Sequence, residues 1–299
     1  MWGTDPLFRF GLALRMAAPA IVLVEQALPM LLVFHLVGRG LRRAVASFSA
    51  ADWAALLLVG AGASTLATLL FTQAFTFGSP TTPVLLQQLQ PLFAVAGARL
   101  LLGERLQPRY WVYLGSALCG GYLVAFADPG RLSVTGGLAA AMAVTAAALW
   151  GMGTVLGRRL AAQLPFPELT ALRLFFGAGA ALLVVALTGT YRAYGSLDPR
   201  SLLSLALLAL IPGLLSLLIY YRGLRGTPAA AATLAELAFP LTALLLGYLA
   251  LHASLTGSQW AGVVVLCGTI TAMGLLRSRG VPTGVEVRHL GEATVGSWA

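Results

Sequence analysis

Long apolar runs separated by short polar links constrain this chain more than any other feature of its sequence. Most runs approach the roughly 20 residues that a helix needs to cross a bilayer. The ten runs are Trp2–Leu14, Pro19–Val37, Trp53–Phe77, Thr82–Leu102, Trp111–Phe126, Leu138–Gly157, Leu169–Leu187, Leu202–Tyr221, Ala229–Leu251 and Trp260–Leu276. Only 10% of the residues are charged, whereas a soluble domain carries about 25%. The sequence therefore predicts an all-α polytopic membrane protein with ten transmembrane helices.

The two ends of the chain depart from this pattern. The run Trp2–Leu14 is shorter than a spanning helix, so the first helix is expected to be N-terminally truncated. We expect roughly 10–15 further residues before Met1 in the natural protein, enough to complete that helix. The tail from Arg277 to Ala299 mixes Gly, Glu and Arg, and is predicted to be disordered.

The chain contains an internal repeat with an offset of 148 or 149 positions. The matching pairs are Trp2 and Trp150, Pro91 and Pro240, and Cys119 and Cys267. Each half holds five predicted helices, an odd number, so the second half enters the membrane in the opposite orientation. Inverted repeats of this kind are typical of secondary transporters. The predicted domains are residues 1–128 and 129–276, followed by the tail 277–299.

The basic residues predict the orientation in the membrane. The formal net charge of +9 comes from arginine alone, since the chain has no lysine. If the N-terminus is cytoplasmic, thirteen arginines lie in inside segments and four lie in outside segments. The inside set is Arg39, Arg42, Arg43, Arg99, Arg105, Arg109, Arg158, Arg159, Arg222, Arg225, Arg277, Arg279 and Arg288. The positive-inside rule then predicts that both termini are cytoplasmic. The expected location of the chain is the inner (plasma) membrane. Arginines between apolar runs give no support to nucleic-acid binding.

Several short motifs make the chain resemble the drug/metabolite transporter superfamily, and in particular its EamA-type members. The motifs are Trp2-Gly3-Thr4, Gln90-Pro91, Gly103-Glu104-Arg105-Leu106 and Trp111 at the start of the fifth helix. The resemblance spans residues 2–276 and implies ten helices in two inverted five-helix repeats. It also implies movement of small metabolites, often as efflux. The chain departs from the pattern where His252-Ala253 replaces a second Gly-Glu, so the resemblance supports no role for Glu104 beyond capping a cytoplasmic turn.

Polar residues beside two prolines are the first candidate for a binding site. Gln87, Gln88 and Gln90 lie just before Pro91, and the proline ring leaves the carbonyl of Gln87 without its helical partner. Amides inside a span should face protein or a wet cavity. We interpret them as cavity-lining, substrate-binding residues. The alternative is a structural role as interhelical hydrogen bonds, worth about 0.6 kcal/mol each.

Glu236 lies at the matching place in the second half, four residues before Pro240. A carboxylate in a partly desolvated site can bind solute or take up a proton. A permanent ion pair with Arg173 or Arg222 is the structural alternative.

Further buried charges and two tryptophans complete the candidate site. Glu25 and Arg9 are expected to pair, because an unpaired charge at the bilayer centre costs at least about 2.5–3.5 kcal/mol; snorkelling of Arg9 to the surface is the alternative. Asp5 is expected to line the same cavity. Glu25 and Arg173 occupy equivalent places at an offset of 148, which suggests binding of an amphoteric solute such as an amino acid. The remaining candidates are Trp2 and Trp150, which either stack on the solute or pack against helices.

The sequence thus predicts a secondary transporter, in the exporting direction, of a small organic metabolite such as an amino acid or a drug-like solute. Alternating access is the expected mechanism, and proton coupling and facilitated diffusion are both left open. A nucleotide-sugar or sugar-phosphate carrier is one alternative, and an integral membrane enzyme is another. The scattered histidines and the two intramembrane cysteines predict no metal site, no cofactor and no catalytic residue. The expected partners are the solute, the lipid bilayer and, with coupling, protons; the identity of the solute and the oligomeric state stay open.

Overall fold

The fold is all-helical over nearly the whole of the described chain. The structure, a computed structural model, describes residues 2–13, 15–77, 81–126, 128–130, 136–251, 254–278 and 285–287. In chain order the α-helices are α1 (Asp5–Ala13), α2 (Ala18–Ala44), α3 (Ala50–Leu57), α4 (Ala67–Ala74), α5 (Thr81–Gln87), α6 (Gln90–Leu101), α7 (Pro108–Ala125), α8 (Gly137–Ala161), α9 (Phe166–Thr188), α10 (Pro199–Leu208), α11 (Ser216–Leu224), α12 (Ala229–Glu236), α13 (Ala238–Leu251) and α14 (Gly257–Ser278). Short 3₁₀ helices cover Trp2–Thr4 and Thr190–Ser196.

Seven helical stretches of the described chain are long and apolar enough to cross a membrane. They are Ala18–Gly38, Ala50–Ala74, Thr82–Leu101, Gly137–Ala161, Phe166–Thr188, Pro199–Leu224 and Ala229–Leu246. Helices also occupy the three remaining predicted runs, as α1, α7 and α14. The predicted class of all-α polytopic membrane protein is confirmed, and the arrangement of ten spans as an inverted repeat stays a prediction.

Four of the long helices change geometry near their midpoints. Between α3 and α4 the backbone forms a π-helix over Leu58–Leu66, and between α10 and α11 another over Ala209–Leu215. The other two interruptions separate α5 from α6 and α12 from α13, next to Pro91 and Pro240. The interruptions thus fall in the third and fourth of the five predicted runs of each half, and π-helical turns of this kind are frequent at functional sites.

Helix ends extend beyond several of the apolar runs. Helix α2 continues to Ala44, seven residues past the predicted Val37, and α8 continues to Ala161. An apolar run marks the part of a helix that faces hydrocarbon, so the polar ends that project from the bilayer are not detected by it.

The structure describes only part of the C-terminal tail 277–299, which the sequence predicts to be disordered. Helix α14 continues to Ser278, and a strand β2 (Val285–Val287) pairs antiparallel with β1 (Glu104–Leu106), with Glu104 opposite Val287. Residues 279–284 and 288–299 lie outside the described part of the chain.

The buried core joins the two halves of the chain. One cluster packs Tyr110 and Leu114 of α7 against Ala230 and Leu234 of α12 and Leu266 of α14. Because each side of this cluster comes from a different half, the core lies between the halves.

Candidate functional site

A cavity of about 740 Å³ lies at the level of the four helix interruptions. Its volume is within the range of about 300–1,000 Å³ that is usual for sites of drug-sized ligands. All nine residues that the sequence singled out line this one cavity: Trp2, Asp5, Glu25, Gln87, Gln88, Gln90, Trp150, Arg173 and Glu236. The structure therefore brings the predicted site residues together, and their role in binding remains a proposal.

The cavity reaches one end of the helix bundle. Phe75, Ala125 and Gln259 line it, next to the points where α4 and α7 finish and α14 begins. We call this the open end. On α12, the first described residue that lines the cavity is Thr233, so the first turn of α12 lies outside the cavity. We call the opposite end, where α6 finishes at Leu101 and α12 begins, the closed end.

The two prolines explain why helices break at the cavity. Helix α5 ends at Gln87 and α6 begins at Gln90, with Pro91 in its first turn. Helix α12 ends at Glu236, and α13 begins at Ala238. A proline has no N–H to offer the residue four positions before it, so the carbonyls of Gln87 and Glu236 lose their helical partners. Each half therefore exposes both a side chain and a backbone acceptor at the same level.

Glu236 is held by three neutral donors from three other helices. The hydroxyls of Tyr220 and Thr154 donate to its Oε1 over 2.7 and 2.9 Å, and the amide of Gln90 donates to its Oε2 over 2.6 Å. The Tyr220 hydroxyl also lies 3.2 Å from Thr154 Oγ1. Among the described residues none forms an ion pair with Glu236, so the pair with Arg173 or Arg222 considered from the sequence is not present.

Asp5, Arg9 and Glu25 form a second charged group on the cavity wall. The guanidinium of Arg9 makes two bonds of 2.6 Å to the carboxylate of Asp5 and one of 2.7 Å to Glu25. The expected pair of Arg9 with Glu25 is therefore present, and Arg9 does not snorkel to the surface. Two carboxylates share one guanidinium, which leaves an excess of negative charge when both are ionised.

Arg173 lies on the wall with neutral partners. Its Nε donates to Ser64 Oγ over 2.7 Å and one terminal nitrogen donates to the Tyr221 hydroxyl over 2.9 Å. Its guanidinium carbon is also 5.7 Å from the centre of the Tyr221 ring, a cation–π distance. A guanidinium has five N–H donors, so Arg173 has donors left for an anionic group of a solute.

Each of the two tryptophans packs against an aromatic neighbour at the cavity. The rings of Trp2 and Tyr220 are 5.0 Å apart and inclined at 52°, and those of Trp150 and Phe71 are 5.3 Å apart and inclined at 62°. These pairs supply flat apolar surface on which a planar solute can pack. Their placement fits both interpretations made from the sequence.

The glutamines beside Pro91 face different neighbours. Gln90 bonds to Glu236, as described above, whereas Gln88 lies against α7, where a Cβ on Gly121 would be 3.3 Å from its Oε1. Gln87 lines the cavity. The three amides thus line the cavity, and Gln90 also makes a hydrogen bond to another helix. Their role in substrate binding stays a prediction.

Sequence reasoning missed four residues that complete the site, namely Thr154, Tyr220, Ser64 and Tyr221. For Thr154 the sequence did offer a signal, because this residue follows the candidate Trp150 by one helical turn. Tyr220 and Tyr221 stand in an apolar run, where a phenol needs a partner. Among the described residues no group of three or more His, Cys, Asp or Glu side chains is arranged to bind a metal ion.

The fold and the site together define a class of protein: an all-helical membrane protein with a polar, proline-flanked cavity between two halves, which is the architecture of secondary transporters. The profile of the EamA-like transporter family matches the chain twice, over residues 3–126 and 137–275. The chain belongs to this family, and the resemblance inferred from its motifs is confirmed.

Individual proteins show the same relationship. The chain is 29% identical over 272 residues to a protein named riboflavin transporter ImpX of Fusobacterium nucleatum subsp. nucleatum, with 89% of this chain and 91% of that protein covered. It is 30% identical over 178 residues to the uncharacterized transporter YwfM of Bacillus subtilis, covering 59% and 58% of the two chains. A solved crystal structure shares the fold with a TM-score of 0.74 at 20% identity, over 93% of both chains.

Proposed function

We propose that this transporter moves a small organic solute across the inner membrane by alternating access between two inverted repeats of five helices, residues 1–128 and 129–276. The observation that carries the proposal is the cavity of about 740 Å³ at the level of the helix interruptions, which is lined from both halves and reaches the open end. A smaller cavity of about 370 Å³ shares Trp2, Tyr220 and Glu236 with it and extends to Gly223 and Thr227. A site that is open to one side at a time is the requirement of alternating access.

The arginine distribution supports an orientation for this state. Arg105 lies in a link at the closed end, and Arg109, Arg158 and Arg159 lie in the helix turns next to such links, in α7 and α8. The positive-inside rule assigns such links to the cytoplasm. The structure would then be an outward-open state, with both termini inside, and release of solute from this state to the outside is the exporting direction.

The charges on the cavity wall favour an amphoteric solute such as an amino acid. Arg173 offers unused donors to a carboxylate, and the group of Asp5, Arg9 and Glu25 carries excess negative charge for an ammonium. Opposite charges on one wall bind a zwitterion better than a molecule of either single charge.

A riboflavin-like heteroaromatic solute is the second candidate. A relative that matches 89% of this chain is named a riboflavin transporter. The ring pairs at Trp2 and Trp150 would pack against a planar ring system, and the amides of Gln87 and Gln88 can donate and accept hydrogen bonds.

A sugar-phosphate carrier and a membrane enzyme both have weaker support from the site. A nucleotide-sugar or sugar-phosphate carrier needs several free basic groups, whereas Arg9 is already bound by Asp5 and Glu25. A membrane enzyme is disfavoured because the family and the named relatives are transporters.

Proton coupling would rest on Glu236. Its hydrogen-bond donors are neutral and none of the described residues forms an ion pair with it, so its negative charge can be gained or lost as the site alternates. Uptake of a proton in one state and its release in the other would couple solute movement to the proton gradient.

Binding and flux measurements test the solute. Purified protein would be screened by thermal stabilisation against amino acids and riboflavin, and the best ligand would be followed into proteoliposomes. At about 100 Kd of ligand, binding adds about 2.7 kcal/mol to the stability of the folded state. Stabilisation and saturable flux of an amino acid support the first candidate, and those of riboflavin support the second. Absence of flux for every stabilising ligand would overturn the proposal.

Comparison of Glu236→Gln with Asp128→Asn tests the coupling. Asp128 is an exposed acid outside the cavity, so its variant should keep the response of flux to an imposed pH gradient. Glu236→Gln should lose that response. A wild-type flux that ignores the gradient would exclude coupling and leave facilitated diffusion.

A further inference from the structure

The first turn of α12 is buried although its backbone lacks the usual helical partners. Ala229 and Ala230 are fully buried, and the residue before them, Pro228, provides no side-chain cap. The first N–H groups of any helix have no acceptor inside the helix. Because these N–H groups are buried inside the protein, they need an acceptor from another part of the chain.

Glu104 of the first half supplies that acceptor. Its carboxylate accepts the N–H of Ala229 at Oε1 over 2.7 Å and the N–H of Ala230 at Oε2 over 3.0 Å, and Glu104 is only 2% exposed. The hydroxyl of Tyr110 donates to the carbonyl of Ala230 over 2.8 Å. A carboxylate at a helix N-terminus is also favoured by the helix dipole. We call Glu104 and Tyr110 the α12 clamp.

The clamp is connected to Glu236 through one short rigid element. Helix α12 has eight residues, a length of about 12 Å. The clamp binds its first turn, and Glu236 is its last residue. All residues from Ala229 to Leu234 are buried, so α12 is enclosed by its neighbours over most of its length. The position of the first turn therefore sets the position of the Glu236 carboxylate.

The clamp is present at one end of the molecule. In the second repeat His252-Ala253 stands where the first has Gly103-Glu104, so the sequence provides no carboxylate for the equivalent place. The clamp joins the two halves at the closed end. A second contact joins them at the same end, between Asp52 of α3 and Arg159 of α8, over 3.0 Å.

We propose that Glu104 is a positioning residue for transport, which holds α12 and Glu236 against the first half and keeps the closed end shut. The clamp must open before the cavity can reach that end. This inference rests on the alternating access proposed above, and it assigns to the Gly-Glu-Arg motif a role beyond capping its own turn.

Labelling of a buried cysteine tests the clamp without any solute. Val155 is fully buried in the core cluster that also contains Ala98, Tyr110 and Ala230. Val155→Cys would be made with Cys119→Ser and Cys267→Ser, because the two native cysteines are exposed. The rate of reaction with a polar maleimide then reports opening of the closed end, measured well below the melting temperature.

Glu104→Gln keeps the shape of the side chain but replaces one carboxylate oxygen with an NH2 group. That group cannot accept a hydrogen bond from the N–H of α12 that it faces. Loss of one charge-assisted hydrogen bond should raise the labelling rate about tenfold or more. Tyr110→Phe should give a smaller increase in the labelling rate. It takes the place of Glu104→Gln as the test if that variant does not fold. In proteoliposomes Glu104→Gln should change the maximal rate of transport more than the affinity for solute, since Glu104 does not itself line the cavity.

The matched control is Asp198→Asn at the open end. Asp198 also caps a helix, accepting the N–H of Ser201 over 2.9 Å, and it is not part of the clamp. Its variant should leave the labelling rate unchanged. An unchanged rate in folded Glu104→Gln, or an equal rise in Asp198→Asn, would show that Glu104 is only a structural cap and would overturn the inference. Because labelling needs no solute, a failure of flux would count against the proposed function alone.

Discussion

The carboxylates of the cavity are stabilised in two different ways, and the difference bears on their roles. Glu25 and Asp5 share the guanidinium of Arg9, so both carboxylates are bound to a permanent positive charge. Glu236 is held by two hydroxyls and one amide, none of which carries charge. The first group is suited to a fixed electrostatic wall. The second is suited to a charge that changes during the cycle.

Removal of one hydrogen-bond donor that binds Glu236 should measurably lower the free energy of unfolding. Tyr220→Phe deletes the hydroxyl that donates to Oε1 and keeps the ring against Trp2. A hydrogen bond to a charged group is worth about 1.5–3 kcal/mol, so we expect unfolding in detergent to become easier by about that amount. In a Glu236→Gln background the same change should cost clearly less. Equal costs in both backgrounds would mean that Tyr220 acts through packing alone.

Arg9 should be more important for stability than an arginine at the surface. Arg9→Met leaves two neighbouring carboxylates without a counter-ion, and breaking a buried pair costs about 3–5 kcal/mol. The side chains of this group keep 15–25% exposure, so we expect the lower part of that range. The control is Arg15→Met, whose pair with Asp198 is 60% and 45% exposed; it should cost about 0–1 kcal/mol. Equal thermal shifts for the two variants would contradict the assignment.

Polar residues inside apolar runs were enough to predict which residues meet at the cavity. Four residues could be singled out because a charged side chain inside a membrane span is costly and is therefore usually paired or functional. They are Asp5, Glu25, Arg173 and Glu236. Their partners could not be predicted in the same way. Thr154 is small and common in helices, so its bond to Glu236 follows only from the packing of α8 against α12.

At the scale of helices, three of the four interruptions lie at a proline, namely Pro91, Pro240 and Pro212 in the π-helix Ala209–Leu215. Only the first two were singled out from the sequence. Pro91 and Pro240 each remove a backbone N–H donor from the helix. This effect is local, so it can be predicted from the sequence alone. The π-helix at Leu58–Leu66 contains no proline, and it packs closely against α9. A Cβ on Gly60 would lie 2.5 Å from Cβ of Phe176 and 2.8 Å from the carbonyl oxygen of Arg173. A tertiary contact of this kind is not encoded by any local pattern.

The same logic predicts which glycines of α14 tolerate a side chain. A Cβ on Gly262 would lie 2.7 Å from the backbone nitrogen of Val124 and 2.8 Å from the carbonyl oxygen of Gly120. Gly262→Ala should therefore force α7 and α14 apart and cost about 1–3 kcal/mol. Gly268→Ala, on the same helix with no atom within 4 Å, should be neutral or stabilise by up to about 1 kcal/mol. Thermal unfolding of both variants in one detergent makes the comparison, and a similar loss for the two would show that α7 and α14 do not pack as described.

At the scale of the whole molecule, the two halves depend on each other for a core. The cluster around Tyr110 combines α6 and α7 of the first half with α12 and α14 of the second. Another combines Leu56 and Val59 of the first half with Leu169 and Tyr221 of the second. The two family matches, over residues 3–126 and 137–275, describe units of sequence. The clusters show that these units are not independent units of packing.

Separate expression of the halves should make this dependence visible. A chain of residues 1–128 or one of residues 129–299, produced alone, would leave the faces of these clusters exposed, and we expect neither to give a monodisperse, cooperatively melting protein in detergent. Co-expression should restore a complex, because the division falls between Ala125 and Gly137, at the link between α7 and α8. The complex should bind the same ligand as the intact chain, by thermal stabilisation. A half that folds and melts cooperatively alone would show that its core is complete without the other half, which would also weaken the case for motion of one repeat against the other.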